Sequence, residues 1–426
     1  MKFIIKTTVV VLWHLGFCAS ASAQCPLLLN APPVSLQEAL QTARENSPVL
    51  KTEQYNTTIA ETDIITSKLH YNPTFEFNFM NIAHKKHAEP QSALYSAVNN
   101  QYALQFGKPF QTAGQRKNRI DIAYKNVVFI ENSYAEAERT LLLEVATKWL
   151  ETWMAQKQLD ILTSAKTNMD SLVLANKNRY DNQVITQTDL YRTESLAKQL
   201  EIQYKTASQE VANNQRELRL LLGIDEAICV DTTDYFLWDI SDDTAYLIEQ
   251  SLQSRSDVLM AHSFVEVSNS NIRLQKSLAN PQPELGVFWN PQNNVPYWGF
   301  YASFDLPFFN RNQGEIKKSH LLKQQAEQHL SALQNRLQSE IETAYARYQL
   351  EHRNMHSLQA ILQQSQTILN NVKYAYLRGG TTIIDFFEAQ RSWLETQQLY
   401  YETLQNYRLS YIQLLYATGL INQLAV

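Results

Sequence analysis

Residues 376–390 read YLRGGTTIIDFFEAQ: two glycines, two threonines and then, three residues apart, Asp385 and Glu388. The flanks contain neither Gly nor Pro, from Glu315 to Arg378 upstream and from Thr381 to Thr418 downstream. No helix breaker interrupts either flank. The stretch therefore predicts two long helices that reverse at Gly379-Gly380, where glycine reaches positive φ without steric cost. The upstream arm, about 65 residues at ~1.5 Å each, makes a rod of roughly 100 Å. A compact globule has no room for it. Past the turn, Asp385 and Glu388 fall on one face of the returning helix.

The apolar spacing says how the rod packs. Ile341, Ala344, Tyr348, Met355, Leu358, Leu362, Leu369, Val372 and Tyr376 follow steps of three and four, with Glu351 and Ser365 filling two gaps. This is a heptad seam. The returning arm keeps a similar stripe through Phe386, Trp393, Tyr400, Leu404, Tyr407, Tyr411 and Leu414. Both arms thus have a face to bury.

The hairpin occurs twice, because the chain is written twice. NSPVL from Asn46 aligns with RSDVL from Arg255, NPTFEF from Asn72 with NPQPEL from Asn280, and FGKPF from Phe106 with FDLPF from Phe304. YDNQVITQTDL from Tyr180 matches YLRGGTTIIDF from Tyr376, and LRLLLG ending at Gly223 matches QLLYATG ending at Gly419. The offsets are 209, 208, 198, 196 and 196 residues. Repeat 1 is assigned to 24–223 and repeat 2 to 242–426, with a linker over 224–241. Asp189 matches Asp385, whereas Arg192 stands opposite Glu388 and Asn182-Gln183 opposite Arg378-Gly379.

Each copy opens with a helix. Ser35 and Glu38 form a capping-box pattern, and this helix is expected to run to about Leu69, before Asn72-Pro73 stops it. The period then changes to two. Phe75, Phe77 and Phe79 alternate with Glu76 and Asn78, giving a strand pair over 73–80 and 101–107. Trp289 with Val287, and Trp298 with Phe300, mark a second pair over 283–289 and 297–305. These are half-buried strands, near the length of a tilted membrane strand, and Tyr297 and Trp298 suit an interfacial aromatic girdle. The long hairpins follow, with tips near 181–189 and 377–385.

The fold class is therefore mostly α with a small β part, built from a duplicated helix, strand, strand and long helical hairpin. Only 10 of 426 residues are Gly and 12 are Pro, which fits a helix-rich chain. MKFIIKTTVVVLWHLGFCASASAQC has the charged start, apolar run and small-residue site of a signal peptide over 1–23. Acylation of Cys25 is the rival reading, which Ser22 and Gln24 suit poorly. Removing 1–23 takes the formal charge from −5 to −7, with 35 basic against 42 acidic residues, and leaves no basic footprint for nucleic acid. Cys25 and Cys229 remain, as a disulfide or as two thiols. No stretch offers the ~18–20 apolar residues of a membrane-spanning helix, so any crossing is made by strands. Four strands cannot close a membrane barrel, because an open edge in lipid leaves backbone groups unpaired. Other copies of the chain must complete it.

The segment SLQEALQTARENSPVL, the two strand pairs each followed by a Pro-Phe step into a long helix, and YLRGGTTIIDFFEAQ together resemble the outer membrane efflux proteins of the TolC type. The resemblance runs from about Ser35 to Gly419. It implies a homotrimer in outer membrane lipid of a Gram-negative bacterium: a twelve-stranded barrel continuous with a periplasmic helical tunnel. Its implied partners are a periplasmic adaptor (membrane fusion) protein and an inner-membrane transporter. The hairpin turn becomes the periplasmic tip, a gate involving Tyr376, Arg378, Gly379, Gly380, Asp385 and Glu388, with Asp189 and Arg192 from the first copy. Repeated threefold, Asp385 and Glu388 imply a cation-attracting ring of carboxylates. The basic residue that the family often carries before the aspartate is replaced here by Thr381 and Thr382, so its closed-state ties do not transfer. Asp385 also suits a plain helix start, where acidic residues are favoured.

No phosphate loop, His-Glu-x-x-His, Cys-x-x-Cys or nucleophile elbow is present, and neither an enzyme nor a cofactor is expected. His84 with His87, and His352 with His356, each lack a third ligand in sequence view and read as solvated or seam-lining side chains rather than a metal centre. The function expected is the exit duct of a tripartite efflux system, carrying metal ions or drugs. The alternatives are the outer membrane exit of a type I protein-secretion system and, in another class, a periplasmic coiled-coil scaffold that forms no channel.

Overall fold

The computed structural model describes residues 33–81, 100–233, 240, 243–292 and 295–425. The signal segment, Cys25, His84 and His87 lie outside the described residues. In chain order the elements are β1 (Pro33–Val34), α1 (Leu36–Asn46), α2 (Pro48–Lys68), β2 (Thr74–Asn81), β3 (Asn100–Pro109), α3 (Gln115–Asp181), α4 (Gln187–Leu222), β4 (Cys229–Val230), α5 (Thr244–Ser254), α6 (Ser256–Leu278), β5 (Glu284–Gln292), β6 (Val295–Ser303), α7 (Gln313–Leu377) and α8 (Ile383–Thr418). A 3-10 turn over Ile421–Ala425 follows. The rods α3 and α7 hold 67 and 65 residues.

The opening capping box forms, with the Glu38 amide donating to Ser35 Oγ at 3.2 Å and the Ser35 amide to Glu38 Oε2 at 2.8 Å. The single helix expected from there to Leu69 is instead two helices. Pro48 begins α2 and holds Ser47 at ψ 127°, outside the helical region. The second copy breaks at the matching corner without a proline. There Arg255 sits at ψ 129° and its guanidinium donates to the Ala417 carbonyl at 2.7 Å.

Strands from both copies join one antiparallel sheet in the order β2-β3-β5-β6. The central seam is β3 with β5, in a register that sets Leu104 opposite Trp289 and Phe106 opposite Val287. β5 continues to Gln292, three residues beyond the expected 289, while β6 starts earlier and ends earlier than expected, at Ser303. The register also sorts the aromatics. Phe75, Phe77 and Phe79 lie across from Phe106, Leu104 and Tyr102, and Trp289 across from Trp298, all on one exposed apolar face. Tyr297 pairs with Asn290 and so lies on the other face, with Tyr301 and Gln105. Tyr297 and Trp298 therefore do not share a face: adjacent residues of a strand point to opposite sides, and Trp298 takes the apolar one.

Below the sheet the apolar residues bury in three clusters. One surrounds Trp149, Trp153, Leu36 and Tyr411, where α1, α3, α4 and α8 meet. A second, from Leu159 to Trp393, fills the seam between the two hairpins toward their tips. The third gathers Leu247, Val258, Leu337, Ile341 and Ala417. The linker contributes β4, which pairs in parallel with β1 beside this core. Cys229 in β4 is disulfide-bonded, its partner lying outside the described residues.

Candidate functional site

Both hairpins end in the same local device. In the second, the helix closes at Leu377 and Gly379 takes φ +77°, with space around an added Cβ, so the backbone conformation alone asks for glycine. Thr382 then caps α8. Its amide and hydroxyl, and the hydroxyl of Thr381, all donate to Asp385 Oδ2 at 3.0, 2.7 and 2.6 Å. The Asp385 amide donates back to Thr382 Oγ1 at 3.2 Å. These bonds, from the Thr381 hydroxyl first and then from Thr382, hold the Asp385 carboxyl below the usual carboxylate range. The aspartate is therefore a helix cap and also an exposed, ionised group at the tip.

The first hairpin repeats this with substitutions. Gln183 takes φ +59° where the second copy has Gly379. Thr186 caps α4, its hydroxyl donating to Asp189 Oδ2 at 2.8 Å. Arg192 approaches Asp189 at 4.0 Å, one turn along the same helix. Glu388, its counterpart, receives Arg391 at 2.8 and 3.0 Å, which offsets its charge. Arg378 lies over the Tyr374 ring at 4.2 Å. Among the described residues neither Arg192 nor Arg378 makes an ion pair across the two hairpins. Arg192, Glu388 and Arg391 instead line a cleft of about 740 Å³ between α4 and α8, floored by Leu196, Leu200, Ile384, Phe387 and Leu394.

The tie between hairpins is neutral and buried. Tyr376 Oη on α7 donates to Asn176 Oδ1 on α3 at 2.9 Å, and Asn176 Nδ2 donates to Thr193 Oγ1 on α4 at 2.9 Å. Thr193 passes its own proton to the Asp189 carbonyl at 2.8 Å. Asn176 and Thr193 are fully buried and Tyr376 is 4% exposed. Every polar atom of this chain is spoken for, as a dry site demands. The Arg179 guanidinium sits 5.0 Å from the Tyr376 ring, and the Phe386 ring stacks on it with the centroids 5.8 Å apart. Burial pushes the Tyr376 phenol above its ordinary pKa, so it stays a donor throughout the physiological range.

Tyr376 was legible in the sequence as a tip residue; Asn176, Thr193 and Arg179 were not. A signal existed: Asn176 aligns with the seam residue Val372 and Thr193 with Ala389, polar groups where the other copy is apolar.

Among the described residues no helix is long and apolar enough to cross a membrane. A family model described as outer membrane efflux protein matches residues 39–224 and 247–420. Outer membrane protein TolC of Vibrio cholerae is 23% identical over 265 residues, covering 61% of this chain and 59% of that protein. The cation efflux system protein CusC of Escherichia coli is 21% identical over 307 residues, 67% of this chain and 65% of that one. The chain thus spans 59% and 65% of the length of these two curated relatives. Among solved structures, a membrane protein from Pseudomonas aeruginosa superposes with a TM-score of 0.74 at 19% identity, covering 90% of this chain and 92% of that one. A CusC structure does so with a TM-score of 0.74 at 17% identity, over 90% and 91%. They share its fold. With both long hairpins and all four long strands inside the matched segments, the chain belongs to the outer membrane efflux protein family.

Proposed function

We propose that this outer membrane protein is the exit duct of a three-part export machine: a passive conduit, with no catalytic step, closed by three copies of the chain. A periplasmic adaptor connects it to an energised inner-membrane transporter, and the cargo is a metal cation or a drug. The observation that carries this reading is the composite sheet. Its outer strands β2 and β6 each have a sheet neighbour on one side only among the described residues, and its aromatic face is exposed. Free edges in lipid are untenable, and joining β6 of one copy to β2 of the next in a ring of three gives twelve strands.

The tips support the same reading. Threefold repetition gathers the Asp385 carboxylates into a ring at the entrance, with Glu388 and Arg391 lining the adjoining clefts. The Tyr376, Asn176 and Thr193 chain holds the two hairpins of each copy together behind that ring, and its opening is the step that widens the entrance. Asp189, Arg192, Arg378, Gly379 and Gly380 shape the two turns. The particle mass of the detergent-solubilised protein tests the assembly. Three chains per particle is the expected result, and a particle of one or two chains overturns it.

A further inference from the structure

Away from the tips, α7 carries EHRNMH, in which His352 and His356 lie one helical turn apart. The sequence alone shows no third ligand and gives no reason to prefer a metal. The structure adds that the same ring nitrogens converge: Nε2 of His352 is 3.1 Å from Nε2 of His356, with the rings edge to face at 88°. Without a metal, the pair closes as a hydrogen bond in which one Nε2 carries the proton and the other accepts it. A metal ion between them takes both lone pairs. With metal–nitrogen bonds of about 2.0–2.1 Å, a 3.1 Å separation corresponds to a nitrogen–metal–nitrogen angle of about 95–100°, between the square-planar and tetrahedral values.

The pair is also held in place. His352 is half-buried, with the Tyr348 ring stacked on it at 6.3 Å and Tyr407 of α8 at 5.2 Å, while His356 is exposed. The helix that fixes their spacing is unbroken from Gln313 to Leu377. We infer that His352 and His356 form a binding site for a first-row divalent transition metal such as Zn²⁺, Ni²⁺ or Cu²⁺. Among the described residues no cluster of three or more His, Cys, Asp or Glu is available to enclose a metal. Two protein ligands leave the other positions to water, so the site is open and exchanges readily. It is independent of the duct reading, because it needs only one copy of α7.

The test is calorimetric titration of untagged, detergent-solubilised full-length protein with ZnCl₂ and NiCl₂, with electron paramagnetic resonance of the Cu²⁺ form. The expected result is one saturable site per chain showing two nitrogen ligands. His352→Gln or His356→Gln alone weakens it by at least about tenfold and the double substitution abolishes it, while particle mass is unchanged. If the double variant binds with the stoichiometry and affinity of the wild type, or either single variant is as tight as the wild type, the inference is overturned.

Discussion

The two copies of the repeat solve the same two problems, a sharp corner and a hairpin tip, with different chemistry. At the first corner Pro48 enforces the break between helices covalently. At the second, Arg255 does so through charge: it is 3% exposed, donates to Asp257 at 2.8 and 2.6 Å, and reaches the α8 terminus at Ala417. At the tips, copy two is built from glycine and an apolar seam, while copy one places Asn176 and Thr193 inside its seam. Neither tip is complete alone, because the donor for Asn176 is Tyr376 of the other copy. A duplicated chain that stayed identical could not make this heterologous lock; divergence at a few seam positions made it possible.

The largest expected effect breaks the charged corner. Arg255→Ala strips Asp257 of its two-pronged partner, leaving only Arg139 at 3.6 Å and the Val258 amide, and should cost up to about 3 kcal/mol, read as a lowered thermal midpoint of the solubilised protein, whereas Pro48→Ala costs less. The corner also predicts a pH dependence. Burial opposes charge on Asp257, but the hydrogen bond and charge of Arg255, with Arg139 and the Val258 amide, bring its carboxyl below the usual range. A depressed carboxyl contributes stability that is complete above the ordinary carboxylate range and is lost as pH falls through it to the lower native value. Acid titration should therefore lower the midpoint of the wild type more than that of Asp257→Asn.

Next comes the lock. Asn176→Val, the residue that copy two carries, strands the Tyr376 hydroxyl and takes away the donor to Thr193, whose own bond to the Asp189 carbonyl remains, and should cost about 1–3 kcal/mol. Adding Tyr376→Phe and Thr193→Ala should recover much of that loss, since an all-apolar seam strands nothing. A triple variant no more stable than Asn176→Val would show that these groups are not coupled.

The turns give the smallest effects. Gly379→Ala meets no atom within 4 Å yet must hold φ +77°, a cost of about 1–2 kcal/mol. Gln183→Gly, relieving φ +59° in the other tip, should stabilise by up to about 1 kcal/mol. Equal effects in the two tips would contradict the difference drawn between them.

Much of this was readable in advance because it is periodic. The heptad stripe from Ile341 to Tyr376 is the stripe that the structure buries or half-buries, and the five aromatics Phe75, Phe77, Phe79, Trp289 and Trp298 share a face as period two requires. What escaped depends on register between distant segments. Nothing local says that β3 pairs with β5, and the two-residue β1 and β4 have too little sequence to carry a pattern. The corner at Arg255 lacks a proline to announce it. Tyr297 lies on the face opposite Trp298, which its adjacency in sequence does not by itself announce. At the tip, Asp385 and Glu388 were read as a carboxylate ring, with Asp385 also suiting a helix start, but the bonds from Thr381, Thr382 and Arg391 were not foreseen, because side-chain partners within one turn are not decided by spacing alone.

The most direct test of the account is single-channel recording of the purified protein in planar bilayers, comparing wild type with Tyr376→Phe and with Asp385→Ala/Glu388→Ala. The account predicts small, cation-selective currents from the wild type, larger currents when the lock is removed, and weaker cation preference when the acidic residues are removed. A protein that never inserts, or currents identical in size and selectivity across all three, would contradict it.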